Sequence, residues 1–316
     1  MNNCFSLKIL KEDFNKYKLL SPLLEIKDTP KNIFLKAKNK EVLFNFLNKT
    51  WNGEEYKLLT IVGSRNNSTY SKDALSFLIK NIFNENIIIV SGLAIGIDAL
   101  AHKEAIDNNI KTLAIPGSGL GENYIAPREN FNLAKSIIEN EGLLLSEHED
   151  DAKIHKYFFP MRNRLMAMIS DAVFIVEAKE KSGTLITGRL AMEYGRNLGI
   201  LPNTIFSENS KGSNNLIKEG AFPILSSSDI LELLNIENKN INKIDKNNFE
   251  NIVKNLSNNE KIIFKEIFDF GYIEKDLLFQ NINKKFDINQ TDFLITLMNL
   301  EINNLIKEEL GQISLK

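Results

Sequence analysis

A single cysteine, Cys4, stands in 316 residues, beside three histidines and one tryptophan. One thiol excludes an internal disulfide and any zinc site of the multi-cysteine kind, and it fits a reducing, cytoplasmic compartment. Long apolar runs are also missing. No stretch approaches the length of a membrane span without Gly, Asp or Lys breaking it, and the leading "MNNCFSLKILKEDF" has no uninterrupted apolar segment of the signal-peptide kind. A soluble chain with no membrane partner is expected. Excess charge of one sign is absent as well, since the formal net charge is −2. That argues against a general polyanion-coating protein and leaves room for a local basic site. The usual nucleotide signatures fail too. No G-x-x-x-x-G-K-[ST] occurs, and "GSGLGE" at 117–122 puts Glu122 where a dinucleotide fingerprint needs its third glycine. Ordinary ATP and NAD sites are disfavoured, and no cofactor is expected.

Arginine is the most telling scarcity. Of 39 basic residues six are arginine, namely Arg65, Arg128, Arg162, Arg164, Arg189 and Arg196, and all lie in the middle of the chain. Elsewhere positive charge is supplied by lysine, so these arginines mark places where a planar fork for phosphate or carboxylate matters. For Arg189 and Arg196 a structural ion pair accounts for the residue equally well.

What is present is an alternation. From residue 58, short β-branched runs precede glycine- or serine-rich segments and helix-length amphipathic stretches. "LLTIV" leads into "GSRNNS", "NIIIV" into "SGLAIGIDALAH", "KTLAI" into "PGSGLG", "LLL" into "SEHEDD", "AVFIVEA" into "KEKSGT" and "LGIL" into "PNTIFSENSKGS". Continuous apolar strands separated by helices predict an α/β fold: a Rossmann-like, doubly wound, mainly parallel sheet covered on both faces. Each polar segment follows its strand, so all of them gather at the carboxyl edge, where open α/β sheets bind ligands. The domains read as a preface over 1–55, helical or extended and packed on the sheet; the sheet domain over 56–235; a polar, asparagine-rich linker over 236–255; and a small C-terminal domain over 256–316. In the last, Ser257 can cap a first helix, "EKDLLFQNINKKF" supplies a second, a third starts near Thr291, and "NLIKEELGQISL" turns at Gly311. This is a winged-helix pattern. Its third helix, "NQTDFLITLMNLEI", contains no Lys or Arg. Phosphate neutralisation supplies most nucleic-acid affinity, so the module reads as a protein-contact or structural element.

Chemistry-bearing residues concentrate in the loops. Gly92 and Gly96 lie between a strand and a helix, an arrangement suited to a phosphate at a helix N-terminus, next to Ser91. Gly63, Ser64 and Arg65 end the first strand. "KYFFPMRNR" at 156–164 sets Lys156, Arg162 and Arg164 beside Tyr157, Phe158 and Phe159, with Asn163 between the arginines, and Ser182, Gly183 and Thr184 open a further helix. Charged forks that hold a sugar-phosphate backbone, with rings that stack on bases, are the means by which single strands are bound without sequence reading. Asp98 and His102 are four apart on one helix. Without a third ligand at matching spacing they read as a dipole-complementing carboxylate and a packed histidine, not as a metal or hydrolytic centre.

In order and spacing, "IVGSRNNSTYS", "VSGLAIGIDALAH", "LAIPGSGL", "LLSE", "FPMRNRLMAMIS", "FIVEAKEKSGTLITGRLAMEYGR" and "KGSNNLIKEGA" resemble the DNA-processing protein A family, DprA or Smf, over about residues 20–235. The resemblance implies a recombination mediator without enzymatic activity. Such a protein binds and protects incoming single-stranded DNA in natural transformation, loads the RecA recombinase, acts as a homodimer and needs no nucleotide cofactor. It also implies a strand pocket on Arg65, Lys156, Phe159, Arg162 and Arg164. Two positions depart from the family pattern: Ile95 and Met161 stand where a basic residue is common. A second resemblance, to LOG-type nucleotide phosphoribohydrolases, rests on "PGSGLGE" and "SGTLITGRLAME", neither of which has Gly-Thr followed three residues later by Glu. A nucleotide-sensing module is the remaining alternative.

Overall fold

The computed structural model describes residues 4–82 and 85–236 and, further on, 252–254, 256–270, 272–286, 288–303, 305–309 and 311–315. Of the linker expected over 236–255, only Ile236 and 252–254 lie within the described residues. The chain divides into two compact units after Ile236.

The first unit opens with β1 (Phe5–Leu10) and β2 (Asn32–Ala37), then α1 (Lys40–Asn48) and a two-residue ribbon of β3 (Thr50–Trp51) and β4 (Glu54–Glu55). Seven parallel strands follow: β5 (Lys57–Val62), β6 (Ile87–Ser91), β7 (Lys111–Ala114), β8 (Leu143–Ser146), β9 (Ala172–Ile175), β10 (Asn197–Ile200) and β11 (Phe222–Pro223). Between and after them come α2 (Thr69–Lys80), α3 (Ile97–Asp107), α4 (Phe131–Glu139), α5 (Phe158–Ile169), α6 (Thr184–Glu193), α7 (Lys211–Lys218) and α8 (Ser227–Leu233). The sheet order is β1-β2-β8-β7-β6-β5-β9-β10-β11.

Alternation along the strands explains the layers. Leu58 and Val62 of β5 enter one core with Leu165 and Met166 of α5 and Leu185 and Ala191 of α6. Leu59 and Ile61 enter the opposite core with Leu75 and Ile79 of α2, Ile97 and Ala101 of α3 and Ile230 of α8. Both faces of the strand are thus removed from water, which stabilises it by roughly 1.5–3 kcal/mol per large side chain. The sheet is the doubly wound, mainly parallel one that the apolar runs predict. The preface is more deeply integrated than a segment packed on the outside. β1 pairs antiparallel with β2, and β2 antiparallel with β8. The reason is a period-two pattern in which Phe5, Leu7 and Ile9 face inward while Ser6, Lys8 and Leu10 stay exposed.

The chain builds outward from β5 through β6 and β7 to β8, then returns to place β9 on the other side of β5. The carboxyl ends of β5 and β9 therefore flank the switch point, where diverging loops leave a crevice.

The second unit has its own core. Around Ile263, Phe264, Leu278, Ile282, Phe293, Leu297 and Leu300 pack α9 (Asn258–Phe270), β12 (Tyr272–Glu274), α10 (Lys275–Phe286), α11 (Gln290–Ile302), β13 (Ile306–Glu309) and β14 (Gln312–Leu315). Ser257 and Glu260 form the reciprocal cap of α9, and Gly311 turns the wing at φ +79. On α11 the buried residues are Phe293, Thr296, Leu297 and Leu300, whereas Leu294, Ile295, Met298 and Ile302 are exposed.

Candidate functional site

A cavity of about 860 Å³ opens at the β5/β9 switch point. Four loops and the start of α5 line it. The loop after β5 gives Gly63, Ser64 and Arg65; the loop after β6 gives Ala94, and the start of α3 gives Asp98; the loop after β9 gives Lys179, Lys181, Ser182 and Gly183, and the start of α6 gives Thr184; Lys156, Phe159, Arg162 and Asn163 come from α5 and the residues before it.

The cations of this cleft fall into two groups. Arg65, Lys156, Lys179 and Lys181 are exposed and make no ion pair among the described residues. Arg65 holds its guanidinium 5.8 Å from the centre of the Phe159 ring, the cation–π arrangement. Arg162, which also lines the cleft, and Arg164, which does not, are largely buried. Arg162 is 6% exposed, and its Nη1 donates to the carbonyl of Ile115. Arg164 donates through Nη2 to Glu147 Oε2 at 2.6 Å, with both side chains about nine-tenths buried. The remaining arginines lie elsewhere. Arg128 rests 4.3 Å from the centre of the Phe131 ring, Arg196 donates to the Met168 carbonyl, and Arg189 is exposed on α6.

The glycine loop after β6 is filled from inside. A Cβ on Gly92 would collide with the Arg162 guanidinium, so glycine here makes room for an arginine of the same chain. Gly96 has φ +84, and its Cα lies against the Ser64 carbonyl and Arg65 backbone. It precedes α3, whose Ile97 N–H donates to the Ser64 carbonyl at 3.1 Å. Ser91 Oγ donates to the Ile61 carbonyl at 2.6 Å. The carboxylate at the start of α3 belongs to Asp98, 5% exposed, which accepts backbone hydrogen bonds from Ala94, Gly63 and Gly92. Burial pushes its carboxyl up from the ordinary range, and Arg162 together with those N–H groups opposes the shift. Burial likewise pushes the Arg162 guanidinium down, against the pull of Asp98.

His102 takes no part in the cleft. Its Nδ1 lies 2.7 Å from Thr112 Oγ1, which donates onward to the Ile89 carbonyl, so Nδ1 carries the proton. Burial lowers its pKa to about 3. His148 stacks on Phe158 with ring centres 3.6 Å apart, and burial lowers its pKa as well. No group of three or more His, Cys, Asp or Glu that could hold a metal ion occurs among the described residues.

The loop before α6 closes the other wall. Thr184 Oγ1 donates to the Gly63 carbonyl at 3.1 Å, the Thr184 N–H donates to Ser182 Oγ, and Asn163 Nδ2 reaches the Gly183 carbonyl at 3.4 Å. Beside Gly183 the space is open. The sequence pattern points to the "KEKSGT" segment but not to Lys179 and Lys181 within it. Their role depends on β9 neighbouring β5, a fact of strand order that no local pattern carries. Ile95 and Met161, the two positions that depart from the resemblance, are both exposed.

Fold and site together define a class: a Rossmann-like protein without a mononucleotide fingerprint, whose switch-point cleft presents unpaired cations beside an aromatic ring. Residues 21–235 match the DNA recombination-mediator protein A family, and the chain belongs to that family. It is 41% identical over 174 residues to the DNA processing protein DprA of Bacillus subtilis (strain 168), a match covering 55% of this chain and 58% of that relative. The chain thus spans little more than half of that relative's length. A solved structure of DNA processing protein A from Streptococcus pneumoniae superimposes with a TM-score of 0.61 at 34% identity, covering 72% of this chain and 73% of the other. A structure of the Helicobacter pylori protein, described for its single-stranded DNA binding mode, gives a TM-score of 0.59 at 28% identity, over 73% of this chain and 95% of that one. No helix among the described residues is long and apolar enough to cross a membrane.

Proposed function

We propose that this chain binds single-stranded DNA across the carboxyl edge of its sheet and serves, without catalysis of its own, as a recombination mediator that delivers the strand to a RecA-type recombinase during uptake of foreign DNA. The observation that supports this most is the switch-point cleft, where Arg65, Lys156, Lys179 and Lys181 stand unpaired around Phe159. Cations of one sign in a groove raise the local concentration of a polyanion, and a half-buried ring offers a base a face that requires no particular sequence. The loop Ser182–Thr184 adds backbone and hydroxyl donors at the head of α6, and Gly63 and Ser64 form the opposite lip. The family membership and the Helicobacter pylori relative's described binding mode point the same way. A homodimeric, cytoplasmic protein is part of the same reading. The sheet ends at the short edge strand β11, and Ile205, Phe206 and Leu225 nearby expose apolar side chains that a second copy would cover.

Titration of a fluorescent oligothymidylate at several salt concentrations tests the proposal. With four phosphates neutralised, log K should fall against log salt with a slope of about −3. A duplex of equal length should bind more weakly because its bases are stacked away from Phe159. Equal affinity for both forms, or a slope near zero, would refute the reading.

A further inference from the structure

Residues 153–157, "KIHKY", lead from the loop after β8 into α5, and all five are exposed. Lys156 lines the cleft, whereas the two rings that bracket it, His155 and Tyr157, lie outside that lining. Their order distinguishes them from scattered surface rings. They stack on each other with centres 5.3 Å apart and planes 22° from parallel. Both stand edge-on to Phe158, His155 at 5.2 Å and 76°, Tyr157 at 4.9 Å and 82°. Phe158 is 8% exposed and is itself stacked on His148. Four rings thus run from a buried root to an exposed end, and edge-to-face contacts of this kind fix the planes of the outer pair. The main chain closes the same turn: the Phe158 N–H donates to the His155 carbonyl at 3.0 Å, and the Met161 N–H donates to the Tyr157 carbonyl at 3.2 Å.

The charge around the pair favours an anion. Lys153 and Lys156 are exposed and make no ion pair among the described residues. Of the acids in 147–151, Glu147 is held by Arg164, Glu149 by Lys8 and Asp150 by Lys36, which leaves Asp151.

We propose that His155 and Tyr157 form a second base-stacking site, a platform outside the cleft on which a nucleobase rests where the strand passes Lys156. It rests on the single-strand reading above and extends the contact beyond the cleft. A phosphate held by Lys156 lies beside both rings, since neighbouring Cα atoms are about 3.8 Å apart. A stacked pair whose planes are set beforehand loses little freedom when a base joins it, and a ring face accepts any base. An apolar protein segment is the competing occupant, because Ile154 and Met161 are exposed nearby. The two unpaired lysines favour the strand.

Oligothymidylates of increasing length, titrated into the full chain, test the platform. Tyr157→Ala should bind a long strand about tenfold more weakly, the scale of one lost base–aromatic stack, with an unchanged salt slope. For the shortest oligomer that the wild type retains, held in the cleft alone, the loss should nearly vanish. Tyr157→Phe should bind like the wild type and Tyr157→Leu like the Ala variant, because the ring face acts and not the hydroxyl or the bulk. Tyr157 is 57% exposed, so all three variants should melt close to the wild type; should Tyr157→Ala not fold, the Leu and Phe pair carries the comparison. Irradiation of a strand with iodouracil in place of thymine gives a readout independent of affinity, and the adducts should include the peptide that holds His155 and Tyr157.

Unchanged affinity of Tyr157→Ala at every length, while the wild type binds, would overturn the platform, leave the single-strand reading standing and assign the patch to a protein partner. A loss equal at all lengths, or a slope shallower by about 0.7, would trace the effect to the cleft or to a displaced Lys156 and overturn it as well. If the wild type binds no oligonucleotide, both readings fail together.

Discussion

His102 shows how a residue of catalytic type is put to structural use. Its ring is enclosed on α3, protonated at Nδ1 toward Thr112 and neutral, with a pKa of about 3 in the folded chain against 6.5 when exposed. Between those values the unfolded chain binds a proton that the native state does not, so stability rises with pH across the window and is lost as pH falls from about 6.5 toward 3. Replacing His102 by Asn keeps a donor near the Nδ1 position and removes the titration. Urea unfolding should show the wild type losing roughly 2–3 kcal/mol more than His102→Asn between pH 7 and 4.5. Parallel stability curves would show that the ring protonates in place. The same residue-scale logic bounds what could be read in advance. Scarce arginine draws attention to Arg65, Arg162 and Arg164, but a fork aimed at phosphate and one aimed at a buried carbonyl or at Glu147 look alike in sequence. Gly92 carries the same ambiguity, since a missing side chain admits a ligand or an arginine with equal ease.

At the scale of elements, loops after strands decide where charge accumulates. Apolar runs and the polar segments behind them made the parallel strands and their carboxyl edge legible, because a strand buried on both faces must be apolar throughout. Strand order was not legible. The position of β9 beside β5 is a matter of topology, and so is the addition of β1 and β2 antiparallel to β8. That order brings the "KEKSGT" loop opposite "GSR" and turns Lys179 and Lys181 from surface lysines into the second wall of the cleft. Replacing both by Ala should leave the fold intact, since each is exposed. It should reduce the steepness of the salt dependence for a single strand by about 1.4, the sum of two cations at about 0.7 each. Binding that weakens with an unchanged slope, or does not weaken, would remove this loop from the interface.

For the whole molecule, the question is whether the second unit shares in binding the strand. Its composition speaks against that. Residues 256–316 hold seven lysines against ten acidic residues, and α11 has no Lys or Arg. The outward side of α11 carries Leu294, Ile295, Met298 and Ile302, side chains that gain nothing from a phosphate and are stabilised by contact with apolar protein surface. Among the described residues, the first unit builds its own apolar clusters around the parallel sheet and the second unit has a cluster of its own. A chain ending at Ile236 should therefore fold, confirmed by a cooperative thermal transition. Per site, it should bind oligothymidylate within about threefold of the full chain, with the same salt slope, because all four proposed contacts remain. A large loss of affinity accompanied by a shallower slope would mean that lysines of the second unit neutralise phosphates, and the apolar face of α11 would then need another explanation. A large loss with an unchanged slope would point instead to avidity, with the second unit holding two strand sites together.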